Sequence, residues 1–94
     1  MKHHIIVKFN SSVADKAALI DDIRRHFAPA VSLSGVQSVT LYPSSVELPN
    51  RYDLMIVLDM DRDALPVWAS SDVHTEWKRI YSPLLESKAI FDCD

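Results

Sequence analysis

The segment RYDLMIVLDM, residues 51–60, constrains the fold of this chain more than any other stretch. Its apolar and β-branched content predicts a strand, whose side chains alternate between two faces. Tyr52, Leu54, Ile56, Leu58 and Met60 fall on one face, apolar apart from a single phenolic hydroxyl. Asp53, Met55, Val57 and Asp59 fall on the other, apolar in the middle and charged at both ends. Such a strand needs full cover on its first face and leaves an apolar centre on its second. Residues 2–10, KHHIIVKFN, repeat the theme with His3, Ile5, Val7 and Phe9 opposite His4, Ile6, Lys8 and Asn10.

Helical patterns separate these strands. Ser12 followed by Asp15 resembles a capping box with Asp in place of Glu, and Ala17, Ile20, Ile23 and Phe27 then recur at helical spacing until Pro29. Gly35 opens a second strand, VQSVTLY, and the proline-bracketed PSSVELPN connects it to the third. From Asp61 to Ser87 the pattern is helical but broken. Asp63 is expected to cap a first helix with Pro66 in its opening turn, and Ser71 or Asp72 a second. His74, Trp77, Tyr81 and Leu84 line one face of that second helix, and SKAIFDCD closes the chain as a strand.

The resulting order, β-α-β-β-α-β, is that of an α+β, ferredoxin-like split βαβ domain with an antiparallel sheet. Ninety-four residues suffice for one such domain, 1–94, and not for a second core. Both helices lie on one side of the sheet in this topology, so the second face keeps its apolar centre. A partner sheet there would contribute several kcal/mol at about 25 cal/mol per Å². A homodimer joined through the sheet face is therefore expected.

Composition excludes several functions. One glycine in the whole chain cannot build a phosphate-cradling loop, which argues against P-loop or Rossmann nucleotide binding. A net charge of −3 with scattered Lys and Arg argues against nucleic acid as a partner. No apolar run approaches the ~20 residues of a membrane span, and the N-terminal stretch is interrupted by Lys8 and reads as a strand rather than a signal peptide. Cys93 is the single cysteine, so no intrachain disulfide forms and a cytoplasmic location is expected.

KHHIIVKF, SGVQSV, RYDLMIVLDM, VHTEW and AIFDCD, taken in this order, resemble the stress-responsive dimeric α/β-barrel (Dabb) domain along nearly the whole chain. The resemblance implies two ferredoxin-like subunits closing a barrel across a two-fold axis, with a cavity between sheet and helices in each. It implies no cofactor and no single reaction: many such proteins are stress-associated or uncharacterised, and a plant branch includes a cofactor-free polyketide cyclase. His3 and His74 fall on histidines of that cyclase. Its active-site tyrosine falls on Trp68, which replaces a phenolic hydroxyl by an indole N–H, and a further histidine falls on Leu54.

His74 with His3 is thus the candidate catalytic pair. A neutral imidazole could take a proton alpha to a carbonyl, so a cyclase-like lyase with His74 as general base stands beside the first reading, a homodimeric binding protein of unassigned reaction. The structural alternative is that these histidines join strand to helix and satisfy local backbone groups. Tyr52, Leu54, Trp68, Trp77 and Tyr81 are the candidate lining for a small apolar or aromatic ligand, with core packing as the alternative. His3 and His4 point to opposite faces and cannot share a metal ion, and no other convergent ligand set is visible. His26, beside Arg24 and Arg25, is expected at a solvated helix end, and Asp61 and Asp63 near a helix start.

Overall fold

A computed structural model describes residues 1–94. Four strands, β1 (Lys2–Phe9), β2 (Val36–Pro43), β3 (Leu54–Met60) and β4 (Leu85–Cys93), form a single sheet in the order β2-β3-β1-β4. Every neighbouring pair is antiparallel. Helix α1 (Lys16–Phe27) joins β1 to β2, while α2 (Leu65–Ala69) and α3 (Asp72–Tyr81) lie between β3 and β4, each flanked by short 3-10 turns. This is the expected split βαβ arrangement, with β1 central.

The core follows from the strand alternation. Ile5, Val7 and Phe9 of β1 and Leu54, Ile56, Leu58 and Met60 of β3 are buried with Ile20, Ile23 and Phe27 of α1 and Trp68, Trp77 and Tyr81 of α2 and α3. The register sets Ile5 opposite Ile56 on one side and Ile90 on the other. The opposite face of the sheet carries no helix. There Ile6 pairs with Met55 and Ala89, His4 with Val57 and Phe91, and Tyr42 with Met55. Tyr42 and Phe91 are 52% and 61% exposed.

Local details depart from the sequence expectations for identifiable reasons. The cap of α1 is Asp15, whose carboxylate accepts from the Ala18 N–H, while Ser12 turns back to Asn10. Asp63 caps nothing with its side chain; it lies within the 3-10 turn Arg62–Ala64, and Pro66 does occupy the opening turn of α2. The third strand begins at Leu54 rather than at Arg51. Just before it, Asp53 is tied to the end of β1: its N–H donates to Val7 O at 2.8 Å, and its carboxylate accepts from Phe9 N at 2.8 Å. Tyr52 therefore lies outside the strand and is exposed.

Gly35 is required where it stands. Its φ of +84° is in the left-handed region, and a Cβ there would meet the Ala64 Cβ at 2.8 Å. Its carbonyl accepts from the Asp61 N–H at 2.8 Å, tying the entry of β2 to the exit of β3.

Candidate functional site

His3 lies on the helix-facing side of β1, opposite Leu58 on β3 and Asp92 on β4. It is buried, and its Nδ1 lies 2.5 Å from Asp92 Oδ1. The Asp92 side chain is partly open to solvent. In the neutral ring, donation from Nδ1–H to Asp92 puts the lone pair on Nε2.

His74 is positioned by the start of α3. Ser71 is the cap: its Oγ accepts from the His74 N–H at 3.2 Å and donates to Trp68 O at 2.7 Å. Of the two caps the sequence offered, Ser71 and Asp72, it is Ser71 that serves, and Asp72 is the first helical residue. The His74 ring donates from Nδ1 to Ala69 O at 2.9 Å, so in the neutral ring the lone pair is on Nε2.

Both histidines lie beside Trp68. Its ring lies 6.5 Å from His3 and 5.1 Å from His74, centroid to centroid, and the residue is 1% exposed. From Trp68 the aromatic contacts continue through Phe27 at 5.6 Å to Trp77 at 5.0 Å, and on to Tyr81 at 5.2 Å.

Tyr81 ends this chain of rings with its hydroxyl donating to Asp22 Oδ2 at 2.5 Å. Burial, and then the bond to Asp22, hold the phenol well above the usual tyrosine range. His26 packs edge-on to Tyr81 at 5.3 Å and donates from Nε2 to Val73 O at 2.8 Å. It is thus a half-buried link between α1 and α3, not the solvated helix-end residue expected from its basic neighbours.

Of the residues singled out in the sequence, His3, Trp68 and His74 come together, and Trp77 and Tyr81 join them through Phe27. Leu54 is a core residue, and Tyr52 stands apart on the connection before β3. The sequence reading missed Asp92, Asp22 and His26 as partners. Only the β1–β4 register could have pointed to Asp92, which it sets directly across from His3.

The surface clefts lie elsewhere. The largest, about 720 Å³, opens between the start of α1 and the 44–53 connection, and neither histidine of the pair, nor Trp68, Trp77 or Tyr81, lines any cleft. Tyr52 and Leu54 border a depression of about 110 Å³ with Ile6, Tyr42 and Met55. No group of three or more His, Cys, Asp or Glu side chains is placed to hold a metal ion, and no helix is long and apolar enough to cross a membrane.

No protein-family model matches the chain, and no curated protein sequence does. Solved structures do. A dimeric protein of unknown function and ferredoxin-like fold from Bacteroides fragilis superposes with a TM-score of 0.79 at 15% identity, covering 99% of this chain and 93% of that one. A Dabb family protein with a ferredoxin-like fold from Mesorhizobium loti gives 0.70 at 15% identity, with 99% and 93% covered. A hydroxynitrile lyase from Passiflora edulis gives 0.75 at 10% identity, with 96% and 87% covered. At these identities the likeness is one of architecture: the chain has the ferredoxin-like fold, in the form found in a Dabb family protein and in proteins described as dimeric.

Proposed function

We propose that the chain works as a homodimer closed sheet to sheet into an α/β barrel, and that it binds a small apolar or aromatic molecule without a cofactor. The observation that carries the dimer is the helix-free face of the sheet, where Ile6, Met55 and Val57 form an apolar centre flanked by the exposed rings of Tyr42 and Phe91. A second copy of the same face would remove that surface from water. The dimeric state of the Bacteroides fragilis protein of like fold supports the same reading. In this proposal the ligand enters between sheet and helices beside Leu54, Trp77 and Tyr81, with Trp68 moving aside to admit it and Tyr52 at the rim. α2, which carries Trp68, is only five residues long and has no side-chain cap.

Sedimentation equilibrium tests the dimer. The wild-type protein should sediment as a dimer at micromolar concentration, and Phe91→Asp, at a residue exposed in the single subunit, should give a folded monomer. A wild-type monomer at that concentration sinks the proposal.

One observation favours a second reading, a cofactor-free lyase or cyclase acting on a polyketide-like or aromatic substrate. His74 donates from Nδ1 to a backbone carbonyl, which leaves Nε2 as the base-competent nitrogen. His3, oriented by Asp92, would hold the second polar position. Exchange of α-protons of an aryl ketone for deuterium, followed by NMR, probes this directly. The reading expects exchange above the buffer rate that His74→Ala abolishes; equal exchange in wild type and variant removes His74 as the base.

A further inference from the structure

The 720 Å³ cleft between the first turn of α1 and the 44–53 connection has the size of a small-molecule site and a divided lining. Val13, Ile20 and Val46 supply apolar walls, and Lys16 reaches in from α1. The Lys16 ammonium bonds two carboxylates, Asp53 at 2.9 Å and Glu47 at 3.0 Å. These two partners differ in kind. Asp53 is 13% exposed in its side chain and is also fixed by the Phe9 N–H, so it belongs to the frame of the fold. Glu47 is 81% exposed, sits on the connection, and is held by Lys16 alone. Asp53 first and Glu47 second raise the Lys16 pKa, so the ammonium stays charged at neutral pH.

We infer that the cleft is a binding site for a small monocarboxylate with an apolar body, whose carboxylate takes the place of Glu47 on Lys16 while its body lies against Val13, Ile20 and Val46. The exchange keeps two carboxylates on the ammonium, while the bound ligand adds one negative charge to a cleft that Asp15, Glu47 and Asp53 also line; Glu47, already exposed, carries its own charge out to solvent. The exchange is cheap, because an exposed ion pair contributes little. Asp53 keeps Lys16 aimed into the cleft throughout. The cleft is bounded by α1 and the 44–53 connection, apart from His3, Trp68 and His74, so the inference stands whether or not the proposal for those residues holds.

Octanoate is the probe, followed by calorimetry and by the NMR shift of the Lys16 side chain, with octan-1-ol as the uncharged control. Saturable octanoate binding is expected, with octan-1-ol a few-fold weaker, the loss expected for a partly exposed ion pair. Lys16→Met should weaken octanoate binding by a similar few-fold factor. Glu47→Gln should tighten it several-fold, because the internal competitor is gone. This last result separates a ligand site from a surface ion pair. The inference is overturned if octanoate does not bind, if it binds no better than octan-1-ol, if Lys16→Met leaves binding unchanged, or if Glu47→Gln leaves it unchanged or weaker. Circular dichroism of each variant shows that the fold is retained.

Discussion

His3 and Asp92, 89 residues apart in sequence, meet at 2.5 Å across β1 and β4 on the helix side of the sheet. The pair joins a buried ring to a partly exposed carboxylate, so its energetic weight is unequal at the two ends. Asp92→Ala should cost about 1 kcal/mol, a modest figure because the carboxylate is partly solvated. His3→Ala should cost about 2–3 kcal/mol, since it also leaves a void beside Trp68. Denaturant unfolding of both variants and the double mutant should show a coupling of about 1 kcal/mol; additivity would show that the contact carries no energy of its own.

The Tyr81–Asp22 bond predicts an alkaline dependence of stability. The folded-state pKa of Tyr81 lies above its unfolded value, so the native state holds its proton where the unfolded chain has lost it. Stability from this group is complete below the ordinary tyrosine value of about 10 and declines as pH rises beyond it. Tyr81→Phe should lower stability by about 1 kcal/mol near neutrality and flatten the decline above pH ~10. In an ultraviolet titration, the same substitution should remove the most alkaline tyrosinate component.

Trp68 is the large buried side chain that both candidate catalytic histidines pack beside. Trp68→Ala should destabilise the fold by about 3–5 kcal/mol, the range for emptying a large buried aromatic site. Trp68→Phe should cost less, because most of the volume and the packing on Phe27 are kept. Thermal unfolding of the pair gives the order, and a smaller loss for Ala than for Phe would contradict the filled-space geometry.

Gly35 permits the most local prediction. Gly35→Ala combines a disfavoured positive φ with a 2.8 Å approach to the Ala64 Cβ, and should cost more than about 1 kcal/mol. Changing Ala64 to Gly in the same chain should recover the steric share and leave the backbone share. If the double variant is no more stable relative to Ala64→Gly than Gly35→Ala is relative to wild type, the contact is not the cause.

The order of elements was legible because each strand and helix carries its own period, and the pattern of Leu54, Ile56, Leu58 and Met60 survives intact in the buried core. The cap of α3 was legible to within two residues, Ser71 or Asp72, because a cap is a local requirement, whereas the need for Gly35 came partly from Ala64, which another element delivers. Partners set by tertiary packing were not legible. Asp92, Asp22 and His26 are ordinary polar residues in their own segments, and gain a role only when another element delivers His3, Tyr81 or Val73 to them. Arg51 to Asp53 continued the strand pattern, yet β3 starts at Leu54: Asp53 still bonds Val7 and Ser44 through its backbone, while its carboxylate turns to Phe9 N and Lys16. The sequence placed His3 and His74 on faces directed at the core, but did not show that each would pack against the same indole, Trp68.

The central position of β1 also bears on how the chain folds. β1 spans residues 2–9, but its neighbours are β3, at residues 54–60, and β4, at residues 85–93. Both of its flanks are closed only by segments far along the chain. Pairings this distant in sequence close slowly. Until they close, the stretch Ile5–Val7 is an unpaired apolar strand, with two open edges that the finished sheet covers.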